Sequence, residues 1–259
     1  MQMSHEAPRM ELDEYLAELE SNAILLAAAA RQAGPDTAVT TCPDWCVREL
    51  VLHTGEVHRW ATSIVRNAVT DPRTGIDADY LGPLPTDNDL LEWFVGGVTV
   101  LISTLRHADP DTHYFTFLED PPSPLMFWAR RQTLETAMHR IDAESASGRN
   151  TGMSSNLAAA GIDELLTGFA PRKRTPLHST NPVVLQIAPA DTDSAWRITI
   201  TDEPAVTVRS AGEADCSVNG LSSDIYQALW NRQGVENLTI NGRAEVLASF
   251  RDNVKIRWS

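Results

Sequence analysis

Apolar residues recur at helical spacing in four long stretches up to Gly148, and they alternate in short stretches beyond it. In the first, Leu12, Tyr15, Leu16, Leu19, Ala23, Leu26, Ala27 and Ala30 share one face, which predicts a helix from about Met10 to Ala33, stopped by Gly34-Pro35. After a turn at Pro43-Asp44, Cys46 stands where an N-cap belongs and Glu49 where a capping box needs its acid. Val47, Leu50, Val51, Val57 and Trp60, with Trp45 ahead of them, give this second helix apolar surface. Val69–Pro85 reads as a loop. Thr86 with Asp89 then predicts the cap of a third helix, whose stripe is Leu90, Trp93 or Phe94, Val98, Leu101, Ile102 and Leu105. The fourth is an amphipathic helix over Phe127–Arg149, with Leu134, Met138 and Ile141 on its apolar face, prolines 121, 122 and 124 before it and Gly148 at its end. Four long helices with two substantial crossover loops predict a four-helix bundle. The loop 109–124, rich in proline and aromatics, reads equally as a pocket wall or as a packed connector.

Past Gly148 the period changes. A short helix over Asn156–Phe169 leads into Pro171–Pro176, a connection between domains. Val183–Ala188 and Trp196–Thr201 read as a hairpin around residues 189–194, followed by strands at Ala205–Ser210 and Asp215–Val218. Ser222 is expected to cap a helix running to Arg232, before a strand at Leu238–Asn241 and a helix at Arg243–Phe250. The expectation is a two-domain α+β protein, residues 1–152 a helical bundle and residues 153–259 an antiparallel sheet with helices.

Charge narrows the partners. Lys and Arg number 21 against 35 Asp and Glu, a net charge of −14, so nucleic acid is set aside as a partner. No apolar run is long enough to span a membrane, and the polar, acidic start of the chain does not read as a signal peptide. The 3 cysteines do not make a disulfide framework, which points to a reducing cytoplasm. The chain is expected to be a monomer or a small homo-oligomer.

Candidate chemistry lies on two of the helices. Glu135 and His139 are four apart and therefore on one helix face, half of a metal site or a surface ion pair. His53, on the second helix, is the candidate third ligand. Two His and one Glu from different helices, with a fourth position left open, suit a catalytic zinc. His58 is five residues from His53, about 140° around the helix, so both do not readily face one ion. Glu56 is read as solvated or as support for a ligand. Cys42 and Cys46 form a CxxxC spacing with no second pair, and no phosphate-binding, dinucleotide-binding or nucleophile-elbow motif occurs.

The stretch from Thr41 to His53, with Cys42-Pro43-Asp44-Trp45 at its head, resembles the signature of the mycothiol-dependent maleylpyruvate isomerase family of actinobacteria. The likeness continues in Trp128–Arg131, in Glu135–Glu144, in Asp191–Trp196 and in Ala228–Arg232 before Ile240-Asn241-Gly242. It implies a DinB-like four-helix domain followed by one similar to sterol carrier proteins. It implies His53, Glu135 and His139 as ligands of a divalent metal, zinc foremost, and mycothiol as thiol cosubstrate. It further implies that Arg232 is the arginine that serves catalysis and binds cofactor or substrate. At Cys46 the family usually carries Thr or Ser. The expected activity is thiolate addition to a small electrophile, as isomerase or S-transferase; the alternative is a non-enzymatic module that binds or senses a small ligand on the same fold.

Overall fold

The computed structural model describes residues 10–76, 79–119 and 121–255; residues 1–9, which carry the reading of the chain's polar start, lie outside it. The described chain divides into two compact units, one of residues 11–151 and the other of residues 152–255 together with Met10.

The first unit is the bundle. Helix α1 (Leu12–Ala33) opens with a capping box between Glu11 and Glu14 and ends at Gly34, whose φ of 86° no other residue adopts as cheaply. Helix α2 (Val47–Arg66) has the expected capping box: Glu49 accepts from the Cys46 backbone N–H at 2.8 Å, and the Cys46 sulfur accepts in return. A single turn, α3 (Pro72–Gly75), interrupts the stretch read as loop; Asp71 caps it by accepting from the Arg73 N–H. Helix α4 (Leu90–His107) begins four residues after Thr86, later than the capping pattern suggested. The Thr86 hydroxyl donates to the Asp89 carboxylate at 2.6 Å, so the Thr-Asp-Asn-Asp run closes on itself as a turn, and Asp89 becomes the N-cap. Phe94 rather than Trp93 is the buried aromatic of the stripe. In the bundle α1 packs on α5 (Pro124–Ser145) and α4, and α2 packs on α4 and α5.

Helix α5 departs from expectation. Ser123 caps it, accepting from the Met126 N–H, and Pro124 takes its first position. It stops at Ser145, and Gly148, at φ 70°, belongs to the turn beyond. Leu134, Met138 and Ile141 are buried, as an apolar face should be, but so are Arg131, Gln132, Glu135, His139, Arg140, Asp142 and Glu144. The helix is not amphipathic because its charges satisfy one another along its own repeat. Arg131 donates to Glu135 at 2.7 Å, Arg140 to Glu144 at 3.0 Å, and His139 meets Asp142 at 2.9 Å.

In the second unit, α6 (Ser155–Glu164) passes into a π-helical turn over Leu165–Phe169. The Leu166 carbonyl accepts from the Thr207 hydroxyl at 2.6 Å. Asp163, just before the turn, is buried and accepts from the Trp196 indole and the Arg209 guanidinium. Five strands follow: β1 (Val183–Pro189), β2 (Trp196–Ile200), β3 (Val206–Val208), β4 (Cys216–Gly220) and β5 (Thr239–Gly242), in the order β3-β2-β1-β4-β5. The sheet is mixed rather than antiparallel, because the chain leaves edge strand β3 and returns on the far side of β1, where β4 runs parallel to it. Helix α7 (Ser222–Leu229) is shorter than expected and ends before Asn231, which has a φ of 58°. Ser222 is not its cap. Asp191, from the β1–β2 loop, accepts from both the Ser222 N–H and hydroxyl, at 2.9 and 2.7 Å. Helix α8 (Ala244–Asn253) lays Val246, Leu247 and Phe250 into the core beside β1 and β4.

Helices α6 and α7 touch through Gly161, where a Cβ would stand 2.5 Å from the Tyr226 ring. Both residues are buried in well-packed surroundings. The Gly161→Ala variant should lose about 1–3 kcal/mol of stability through overpacking, read as a lower urea midpoint with an unchanged slope.

Candidate metal centre

Helix α5 presents Glu135 and His139 one turn apart, and α2 brings His53 opposite them. One ligand atom from each of the three lies within 4.8 Å of the others, a spacing that one cation can bridge. Glu135 Oε1 is the meeting point, 3.1 Å from His139 Nε2 and 3.5 Å from His53 Nε2. The His139 and Glu135 side chains are 8% and 7% exposed and that of His53 is 20%, so the cluster is most open on the α2 side.

Proton positions decide what this arrangement is for. His139 Nδ1 lies 2.9 Å from Asp142 Oδ2. A carboxylate only accepts, so Nδ1 carries the proton and the neutral ring turns its Nε2 lone pair toward Glu135. Two lone pairs 3.1 Å apart repel unless a cation, a proton or a metal, stands between them. Burial opposes an imidazolium here, but the hydrogen bonds and charges of Asp142 and Glu135 outweigh it and push the His139 pKa up to about 9. Burial would likewise raise the Glu135 pKa; the Arg131 guanidinium first, then the two imidazoles, hold that carboxyl well below the usual carboxylate range. The His53 Nε2 is shielded from solvent and makes no hydrogen bond of acceptable geometry. Such an orphan is costly in a core and natural in a ligand.

Arg131 and Asp142, which the sequence reading did not single out, complete the cluster. Arg131 occupies Glu135 Oε2 at 2.7 Å and leaves Oε1 facing the imidazoles. Asp142 also accepts from the Thr41 hydroxyl at 2.6 Å and the Cys42 thiol at 3.5 Å, so the α1–α2 loop is tied to the acid that orients His139. The signal was present: Arg131 is four residues before Glu135 and Asp142 three after His139, both on the same helix face. Trp45, in that loop, has its ring centre 4.8 Å from His53 and 5.9 Å from His139 and walls the cluster.

His58 is elsewhere, as the helical repeat required. It is fully buried, stacked on Phe94, with Nε2 2.8 Å from the Thr136 hydroxyl. That hydroxyl spends its hydrogen on the Gln132 carbonyl, so His58 donates from Nε2 and its Nδ1 is left bare. Glu56 is half-buried and stands outside the group that could hold a metal. Arg232 lies in the second unit just past α7, its backbone N–H on the Gln227 carbonyl and its guanidinium 3.3 Å from the Trp230 carbonyl. Among the described residues no helix is long and apolar enough to cross a membrane.

A four-helix unit that gathers two imidazoles and a carboxylate between facing helices, joined to an α+β unit, defines the class. The chain belongs to the mycothiol maleylpyruvate isomerase family: residues 6–144 match the mycothiol maleylpyruvate isomerase N-terminal domain, and residues 156–249 the MDMPI C-terminal domain. The crystal structure of mycothiol-dependent maleylpyruvate isomerase is similar in fold, with a TM-score of 0.60 and 13% identity over 90% of this chain and 93% of that one. A variant of that enzyme with a histidine replaced by alanine gives 0.62 at 13% identity and the same coverage. No curated protein matches by sequence.

The His58 environment makes a pH prediction. Burial depresses its pKa from 6.5 to about 3, so between those values the unfolded chain binds the extra proton. Stability from this residue is fully present above pH 6.5 and falls as pH drops toward 3, with a slope approaching about 1.4 kcal/mol per pH unit. Urea unfolding from pH 7 to pH 4 should lose this component in a His58→Gln variant, whose profile will be the flatter of the two.

Proposed function

We propose that the protein is a metal- and mycothiol-dependent enzyme that adds a thiolate to a small electrophile, as an isomerase or an S-transferase. One observation carries this: His53 Nε2 is shielded from solvent without a hydrogen bond, yet it faces Glu135 Oε1 at 3.5 Å, the same oxygen that His139 Nε2 approaches at 3.1 Å. His53, Glu135 and His139 are the ligands in this reading, and zinc suits two imidazoles, one carboxylate and an open position. A divalent ion held by these three residues would supply stabilisation of a thiolate, lowering a thiol pKa from about 8.5 toward neutrality or below.

The chain's own residues do the rest. Asp142 keeps the His139 proton on Nδ1, so the other nitrogen remains a donor of electrons. Arg131 fixes the Glu135 carboxylate in one orientation. Thr41 and Cys42 hold the loop that carries Trp45, which shields one side of the cluster from water. Arg232 is assigned the carboxylate of substrate or thiol, which a guanidinium grips in two-pronged fashion. Thiolate addition to an unsaturated carbon, bond rotation and expulsion of the same thiol complete an isomerisation; retention of the adduct completes a transfer. The family membership and the name of the structural relative support mycothiol as the thiol. A domain boundary near residue 152, a cytoplasmic location and a monomer or small homo-oligomer complete the proposal.

Elemental analysis of protein expressed with ample zinc should find about one divalent ion per chain, and His139→Ala should lose it while remaining folded by circular dichroism. Metal-free protein in both cases would sink the reading. With mycothiol and an α,β-unsaturated carboxylate, turnover or a thiol adduct should be seen by mass spectrometry and should vanish in His53→Ala. Turnover without thiol would overturn the cosubstrate assignment.

A further inference from the structure

Helix α2 carries a second polar face that the metal cluster does not use. Arg59, Thr62, Ser63 and Arg66 fall at i, i+3, i+4 and i+7, one stripe of the helix. With Asn67 and Tyr80 they line a cavity of about 380 Å³ beside α4, within the range that holds a small ligand. An apolar stripe would be expected where one bundle helix faces another. Here α4 answers with Gly96, Gly97 and a single apolar side chain, Val100. At Gly97 a Cβ would stand 2.5 Å from an Arg59 guanidinium nitrogen, so the missing side chain makes the room that Arg59 occupies. Gly55 does the same for Trp93, on whose ring the Arg59 guanidinium lies at 3.5 Å.

Charge gives the cavity its chemistry. The chain carries a net charge of −14, yet no described residue lining this cavity is acidic. Arg59 donates to the Gly55 and Trp93 carbonyls, and Arg66 makes one long bond, 3.4 Å, to the Thr104 hydroxyl. Neither guanidinium has a carboxylate partner among the described residues. Burial lowers the Arg59 pKa, and no acid is ranged against that effect. Glu56 acts on one wall only, adding to burial in raising the Tyr80 phenol. A half-buried cation without a counter-charge is costly when the cavity is empty, and an anion relieves it.

We propose that this cavity is an oxyanion site, built for the phosphate or carboxylate group of a small molecule, with Arg59 and Arg66 as the charged contacts and the Ser63 and Tyr80 hydroxyls as neutral donors. It is separate from the metal cluster, none of whose ligands lines it.

The test is calorimetric titration of the full-length protein, at low ionic strength, with inorganic phosphate in one series and succinate in another. Saturable binding of either probe at one site per chain is expected. Phosphate alone would mark a phosphate ester as the natural ligand class, and succinate alone a carboxylate. The binding should persist in His139→Ala and weaken at least about tenfold in Arg66→Gln, the loss expected when a charge-assisted contact is removed. Arg66 is exposed, so its variant will fold; Arg59→Gln should give the larger effect on affinity, with a lower melting temperature as Trp93 loses its cation. Absence of saturable binding to both probes, binding unchanged in Arg66→Gln, or binding lost in His139→Ala each overturns the proposal.

Discussion

Helix α5 is buried on nearly every face while carrying nine of the buried polar residues among those described, and the rest of the bundle has to accommodate that. An unpaired charge in such a place would cost several kcal/mol. The helix meets this demand internally, by spacing opposite charges three and four residues apart so that Arg131 meets Glu135, His139 meets Asp142 and Arg140 meets Glu144. What it does not resolve internally is His53 Nε2, which α2 brings up to Glu135 Oε1 shielded and without a hydrogen bond. That residue of unmet electrostatics is the candidate metal centre. Packing and chemistry are therefore one problem here: the pairings that let α5 be buried also leave Glu135 with a single oxygen to offer.

The α1–α2 connection is drawn into the same arrangement. Its turn is closed by the Trp45 N–H on the Cys42 carbonyl, and its side chains reach Asp142 through Thr41 and Cys42. The backbone entering α2, the capping box that starts it and the acid behind His139 are thus mechanically linked over a short stretch of chain. A loop placed like this is held by groups that lie on another helix.

Much of this was legible in the residues. Three of the bundle helices follow from apolar spacing because each buries a stripe, and the capping box at Cys46 follows from Glu49 three residues on. The His53, Glu135 and His139 gathering follows from helical spacing joined to a family likeness. What was not legible has particular causes. Thr86 carried a cap's chemistry, but Asp89 competed for its hydroxyl. Spacing predicts an amphipathic α5 because polar residues are usually exposed, whereas the charges there are paired and buried. Ser222 has a cap's chemistry in its local sequence, but its partner is Asp191, distant in the chain. The parallel β1–β4 pairing depends on a crossover that no local pattern encodes.

The charged chain from Arg131 to Asp142 lies wholly within one uninterrupted helix. Its geometry is set by the helical repeat and not by any loop. Inserting or deleting one residue between those positions would turn one part of the set about 100° from the rest. The connections on either side can change length or composition without disturbing it. The stretch holding the charges therefore tolerates almost no change of register, whereas the constraint on the links is weaker. In a helix of this kind the position of each charge is a matter of counting residues, and the walls around the centre are set separately by the loops.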